Sequence, residues 1–219
     1  MNGSAPGPVD GAAVSGNWVA RLRNFISVPK AGGEEYCELC TVPLPATHPH
    51  LAEPAAHRLM CVCRGCAMLL GGRADRKFVR VPTDVRRLAN FRFTNGEWDA
   101  LGIPIGLAFF YRSSADQRIL AFYPGPAGST ECTLDLDKSV HVFEANAVFS
   151  ELEPDVEALL ANRVDGAHDY YVVPIDRCYE LVGLIRTQWR GISGGPEAAK
   201  AIERFFAGLS QSHREVAHA

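Results

Sequence analysis

Five of the seven cysteines lie between positions 37 and 66, in the pattern of a metal site. Cys37 and Cys40 form one C-x-x-C pair, Cys63 and Cys66 form a second, and Cys61 lies just before the second pair. Each pair can present two thiolates from one tight turn, and four thiolates suit a tetrahedral metal ion, most often zinc. The sequence therefore predicts a metal site whose ligands are Cys37, Cys40, Cys63 and Cys66.

The cysteine spacing leaves open both the metal and one of its ligands. Iron, as a single ion or as an iron–sulfur cluster, also binds four cysteine sulfurs. Cys61 would point to the same side of a strand as Cys63 and could replace it, or lie beside the site. His48, His50 and His57 are further candidates, because imidazole also binds zinc. A catalytic zinc with an open position is a minor alternative, and buried, inert cysteines are the interpretation without a metal.

The composition is that of a globular protein. The chain has 219 residues, of which 47% are hydrophobic and 21% charged, enough for one ordinary domain and a small metal module. Its net charge of −3 gives no general preference for nucleic acid or for an acidic membrane surface. No apolar stretch reaches the roughly 18 residues that a membrane span needs. Residues 1–16 lack a secretory signal, so we expect a cytoplasmic protein, where clustered cysteines bind metal more often than they form disulfides.

The order of segments predicts an α+β protein. Residues 1–16 are rich in Gly, Ala, Ser and Pro and indicate a disordered tail. Residues 17–73 contain an N-terminal helix and the cysteine-rich metal module, in which a knuckle, a loop, a strand and a ligand-bearing helix form a treble-clef-like order. Residues 74–212 are predicted to be an antiparallel sheet followed by C-terminal amphipathic helices. Residues 213–219 are expected to fray.

Several elements of the 74–212 segment follow from local patterns. Apolar and β-branched runs predict strands, and the box formed by Thr94 and Glu97 predicts the start of a short helix. Residues 156–164 are compatible with a helix, but the Asp165-Gly166 turn favours a hairpin with 170–173. Helical spacing predicts a helix after Pro174, capped by Asp176, and a last helix from Pro196. The predicted strands are 78–81, 103–112, 118–123 and 130–136.

Two weaker patterns bear on nucleic acids. His48 and His50, between two C-x-x-C pairs, are similar to the layout of HNH nucleases, but the second histidine and the asparagine that those enzymes require are not evident. Residues 58–87 carry eight basic side chains against two acidic ones, which could contact phosphates. Because few aromatic residues interleave these charges, a solvated or protein-facing surface is the favoured interpretation, and nucleic-acid binding stays an alternative.

The chain resembles a family of uncharacterised actinobacterial proteins that are often encoded in gene clusters for nickel–iron hydrogenases. The resemblance covers most of residues 17–210 and rests on the strings CELC, HPHL, CVCRGCAMLL, VPTDVRRL, AFYPGPAGSTE, PDVEALLANR and VVPIDRCYELVGLIRTQWRGISGG. It implies a setting, hydrogenase assembly or electron transfer, and not a reaction. All five clustered cysteines belong to the family's motif.

These observations favour a zinc-binding accessory or scaffold protein that has no enzymatic activity and assists a nickel–iron hydrogenase. Its expected partner is a hydrogenase subunit or a maturation factor. An iron or iron–sulfur redox carrier that uses the same cysteines is the first alternative. A nucleic-acid-binding protein with a degenerate HNH-like zinc module is the second. No residue is assigned a catalytic role.

Overall fold

The computed structural model describes residues 35–134, 136–190, 195–212 and 214–216, with the backbone alone at 136–138 and 214–216. The predicted tail 1–16 and the predicted N-terminal helix of the 17–73 segment lie outside the described residues. Within the described part of the chain, every helix is too short or too polar to cross a bilayer.

The described residues form a mixed α+β fold with two sheets. The small sheet has the strand order β2-β1-β3, and the large sheet has the order β10-β4-β9-β8-β5-β6-β7. All neighbouring strands are antiparallel except β10, which pairs in parallel with β4. The strands are β1 (His50–Glu53), β2 (Arg58–Cys61), β3 (Val79–Arg80), β4 (Arg86–Leu88), β5 (Leu107–Ser113), β6 (Arg118–Gly125), β7 (Gly128–Glu131), β8 (Glu157–Asn162), β9 (Asp169–Pro174) and β10 (Arg214–Val216).

Helices cover both faces of the large sheet. They are α1 (Arg64–Leu70), α2 (Asn95–Ala100), α3 (Leu136–Ala145), α4 (Val148–Glu151), α5 (Ile175–Gln188) and α6 (Gly195–Ser212). The α2 helix begins with the predicted capping box, in which Thr94 and Glu97 hydrogen-bond each other's backbone N–H. The predicted sheet with C-terminal amphipathic helices is therefore present.

Alternate residues of the central strands supply two separate hydrophobic cores. On β5, Phe109 and Tyr111 face the core that α5 and α6 cover, whereas Ala108 and Phe110 face the core under α2, α3 and α4. Because both faces are covered, every residue of β8 is buried. The small sheet extends the first core, because Ala52 and Val79 belong to it. The metal module is thus packed against the same side of the large sheet as the C-terminal helices.

The predicted hairpin of 156–173 is confirmed. Strands β8 and β9 pair from Glu157 opposite Pro174 to Asn162 opposite Asp169. The helix-like pattern of this segment has a physical cause: a strand that is buried on both faces has a continuous apolar sequence and loses the alternation that marks a half-buried strand.

Three predictions about the sheet and its flanking segments were wrong in part. The strand predicted at 130–136 ends at Glu131, and the helix α3 begins at Leu136, where Val142 packs into the second core. The tail expected to fray at 213–219 includes β10, because its backbone pairs with β4. Asp176 does not cap α5: the N-cap is Pro174, without a side-chain cap, and the Asp176 carboxylate contacts His50 instead.

Replacing Gly106 by Ala is expected to destabilise the large sheet by about 1–3 kcal/mol, the usual cost of overpacking. An added Cβ would lie 2.8 Å from the backbone carbon of Arg163, at the turn that follows β8. The matched control is Gly96→Ala on the exposed face of α2, where nothing lies within 4 Å of an added Cβ. It should stabilise by about 0.5–1 kcal/mol. Urea unfolding measures both, and an unchanged midpoint for Gly106→Ala would contradict the prediction.

Candidate metal centre

The first cysteine pair lies in a tight turn that its own backbone closes. The N–H of Thr41 donates to the carbonyl of Cys37, and the N–H of Cys37 donates to the carbonyl of Val42, both at 2.8 Å. Thr41 adopts a left-handed conformation with φ 59°, which lets the chain reverse direction within the turn. Both sulfurs are therefore presented from one short loop, as the C-x-x-C pattern predicts.

The second pair lies at the start of α1. Cys63 is the N-cap of this helix, and its sulfur accepts a hydrogen bond from the N–H of Cys66 at 3.4 Å. The helix begins at Arg64, directly after this N-cap. Unpaired N–H groups at a helix start favour negative charge, which suits a thiolate.

The strand β2 fastens the two cysteine pairs to each other. The N–H of Glu38, inside the first turn, donates to the carbonyl of Cys61 at 3.0 Å. The Glu38 carboxylate in turn accepts from the N–H of Cys61 at 2.8 Å. This reciprocal contact holds the first turn beside the end of β2, from which the chain leads directly to Cys63.

The four sulfurs of Cys37, Cys40, Cys63 and Cys66 converge on one point. All lie within 4.8 Å of one another, and the sulfurs of Cys40 and Cys63 are 3.7 Å apart. A tetrahedral ion with a metal–sulfur distance of about 2.3 Å separates its ligand sulfurs by roughly 3.8 Å. A disulfide would need about 2.05 Å, and all seven cysteines are free thiols. The four residues predicted as ligands therefore form a group that could hold one metal ion.

The four thiols differ in pKa because their surroundings differ. Burial raises the pKa of Cys37, but three backbone hydrogen bonds to its sulfur outweigh burial and lower the pKa to about 6. The donors are the N–H groups of Cys63, Leu39 and Cys40. Burial, and then the neighbouring sulfurs, raise the pKa of Cys66 to about 12. The N–H of Cys66 lowers the pKa of Cys63. The N–H of Val42 lowers the pKa of Cys40, but the sulfur of Cys37 contributes to a net rise. Two thiols thus ionise more readily than usual and two less readily, and a bound cation removes the repulsion that opposes four negative charges.

The hydrophobic centre of the metal module is small. Leu51 and Val62 are fully buried, and the centre as a whole comprises Cys37, Leu51, Met60, Val62 and Ala67. So few buried side chains supply little of the free energy that ordering the module requires. A metal that cross-links the two turns would supply the remainder.

The structure separates Cys61 from the tetracysteine group. Cys61 is the last residue of β2 and lies with His48 and His50, as a second group whose ligand atoms are within 4.8 Å of one another. The predicted alternatives to one of the four cysteines thus lie together elsewhere in the module. His57 belongs to neither group, since its Nε2 lies 3.4 Å from the carboxylate of Asp116.

His50 joins the metal module to the α+β domain. Its Nδ1 lies 2.9 Å from the carboxylate of Asp176, in the first turn of α5. Burial lowers the pKa of His50, but the contacts with Asp176 and Cys61 outweigh burial and raise it to about 10. The Nε2 of His57 and the carboxylate of Asp116, 3.4 Å apart, form another contact across the boundary.

The comparisons with known proteins identify a family whose function is unknown. The chain belongs to DUF5947, a family of unknown function, whose match covers residues 36–213. The matched region includes both cysteine pairs and every strand of the large sheet except β10. No curated protein and no solved structure matches the chain.

Replacing Cys37 or Cys66 by Ser is expected to abolish metal binding at the tetracysteine group and to expose the module to protease. Structural zinc contributes on the order of 10 kcal/mol to folding, and among the described residues the module has only six buried apolar side chains to offset its loss: Cys37, Leu51, Ala52, Met60, Val62 and Ala67. Metal content after dialysis, and limited proteolysis, measure the two effects. Cys132→Ser is the matched control, because Cys132 is buried in the second core. Metal loss in that control would place the site elsewhere.

Proposed function

We propose that the protein is a zinc-binding accessory protein, with a structural ion at the tetracysteine group, that assists assembly or function of a nickel–iron hydrogenase. The observation that carries the metal is the convergence of four cysteine sulfurs within 4.8 Å. The hydrogenase setting is supported by the sequence resemblance alone. The ion would hold the knuckle, the hairpin and α1 in place, in a treble-clef-like order.

The spacing of the sulfurs supports one ion over an iron–sulfur cluster. A cluster inserts several irons and inorganic sulfides between its cysteines and so holds their sulfurs further apart than a single ion does. A Cys40–Cys63 separation of 3.7 Å suits the edge of a one-ion tetrahedron. A single tetrahedral iron would fit equally well, so the metal has to be measured. Free thiols at all seven cysteines are consistent with the reducing cytoplasm in which we place the protein.

Exposed apolar side chains support a protein partner that docks on the metal module. Of the seven large apolar side chains that are exposed among the described residues, five belong to this module: Tyr36, Leu39, Val42, Met68 and Leu69. Met68 and Leu69 lie side by side on α1 and are 77% and 75% exposed. Apolar side chains grouped in this way are typical of interaction surfaces.

Ion pairing in the basic stretch argues against phosphate binding. Five of the eight basic side chains between 58 and 87 face carboxylates within 4.0 Å, namely Arg58, Arg73, Arg76, Arg86 and Arg87. Arg86, for example, contacts the buried carboxylate of Glu157 at 2.8 Å. Charges neutralised within the protein release fewer counterions on meeting nucleic acid. We therefore keep a protein partner as the proposal.

Protein purified without air is expected to be colourless and to contain one equivalent of zinc at the tetracysteine group. Elemental analysis and an absorption spectrum provide the measurement. Visible absorption accompanied by iron and acid-labile sulfide would contradict the proposal in favour of the redox carrier. Iron without sulfide would support a single-ion site that holds iron in place of zinc.

The double variant Met68→Ser with Leu69→Ser is expected to lose its partner while keeping its metal. The measurement is co-purification of the tagged chain with hydrogenase subunits or maturation factors from a host that makes them. Removal of two interface anchors should reduce recovery on the order of tenfold. Ile105→Ser is the matched control, because Ile105 is an exposed apolar residue outside the metal module. Undiminished recovery with the double variant would rule out docking on α1.

A further inference from the structure

The metal module contains a second group of metal-binding side chains that the tetracysteine site does not use. One ring nitrogen each of His48 and His50 and the sulfur of Cys61 lie within 4.8 Å of one another. We propose that these three residues form a second metal site, which binds one divalent transition-metal ion and leaves a coordination position open. This goes beyond the accessory function proposed above, which requires only the tetracysteine ion.

The hairpin of β1 and β2 brings the three side chains together. His50 lies directly opposite Cys61 in the antiparallel register. Residues in this relation have their Cβ atoms about 4.5–5.5 Å apart. His48 lies two residues before the strand, and its ring centroid is 4.9 Å from that of His50. Paired strands thus hold His50 and Cys61, and the N–H of Val62, which donates to the carbonyl of Pro49 at 3.1 Å, fastens the segment that carries His48.

The hydrogen bonds of His48 leave its Nε2 available as a ligand. Its Nδ1 lies 2.9 Å from the carbonyl of Pro45 and 3.5 Å from the carboxylate of Glu35. Both neighbours can only accept, so Nδ1 carries the proton and Nε2 presents a lone pair when the ring is neutral. The side chain is only 6% exposed, and Nε2 has no hydrogen-bond partner among the described residues. A buried lone pair without a partner is unfavourable, and a metal ion would satisfy it.

His50 has the second contact that metal-binding histidines usually make. Its Nδ1 faces the Asp176 carboxylate at 2.9 Å, which leaves Nε2 as the ring nitrogen on the side of Cys61, where the ion would take the place of the ring's proton. A carboxylate that accepts from the far side of a metal-bound imidazole fixes the ring and makes it a stronger ligand. The other carboxylate oxygen of Asp176 is buried without a hydrogen-bond partner within the described residues. Asp176 is therefore a positioning residue that ties the site to α5.

The donor set defines the class of metal. Two imidazoles and one thiolate suit zinc and its neighbours, such as cobalt and nickel, and do not suit magnesium or calcium, which require oxygen ligands. Three protein ligands leave the fourth tetrahedral position for water or for a group from outside, whereas four thiolates close a site completely. The second ion is therefore expected to exchange more readily than the first.

Cobalt titration of the metal-free full-length chain, under reducing conditions without air, tests the proposal. Two equivalents should bind, one with the strong thiolate-to-cobalt absorption of a four-sulfur site and one with the weaker absorption of a single sulfur. Cys61→Ser and His50→Ala should each bind one equivalent and keep the four-sulfur spectrum. His168→Ala, which removes an exposed histidine on the far loop between β8 and β9, should still bind two.

The outcomes separate the two sites. A single equivalent in the parent protein, or two equivalents in Cys61→Ser, would overturn the second site and leave the tetracysteine proposal intact. A parent protein without the four-sulfur absorption would instead contradict the tetracysteine site.

Asp176→Asn tests the positioning contact without removing a ligand. Loss of such a contact weakens metal affinity by about 10–100-fold, so the second equivalent should bind that much more weakly while the first is unchanged. Asp99→Asn, at an exposed position of α2, is the matched control and should bind both equivalents as the parent does. Unchanged affinity for the second ion in Asp176→Asn would exclude a role for the carboxylate.

Discussion

The antiparallel register of β1 with β2 is the constraint on which the rest of the metal module depends. Through this pairing, the end of β2 returns to the first cysteine turn, so that Cys63 and Cys66 can reach Cys37 and Cys40. The same register sets His50 opposite Cys61. A slip of one residue would turn each of these side chains to the other face of the sheet. One hairpin thus positions both groups of metal-binding side chains.

The module is coupled to the large sheet by more than chain connectivity. On the side away from β2, β1 pairs with β3. Val79 on β3 lies in the core that α5 and α6 cover. His50 meets Asp176 at the first turn of α5. A displacement of the β1–β2 hairpin would therefore also displace the first turn of α5, because packed interiors transmit displacement. The metal groups lie at a junction and not on an isolated appendage.

Two kinds of site lie side by side in the same few elements. Four thiolates close the tetracysteine group, whereas two imidazoles and one thiolate leave room for a further ligand. The first arrangement is suited to holding a small module together, because the module has so few buried side chains. The second arrangement would be suited to exchange, since three protein ligands would leave one position open to solvent or to a partner. The accessory function proposed above could use both arrangements.

The cysteine spacing by itself predicted the four sulfurs that meet, because a C-x-x-C turn and a thiolate at a helix start are local features of the chain, but it left open whether Cys61, His48 or His50 would replace one of them. Local patterns also predicted the capping box of α2, the hairpin of β8 with β9 and the amphipathic helices α5 and α6. The sequence could not place Cys61, His48 and His50 as a separate group, because their proximity depends on a strand register that no short motif specifies. Nor could it predict that Asp176 would contact His50, from a distant part of the chain, and not cap α5. Tertiary structure decided these contacts, since pairing and packing between distant segments fix which side chains face one another, whereas spacing along the chain fixes only their neighbours.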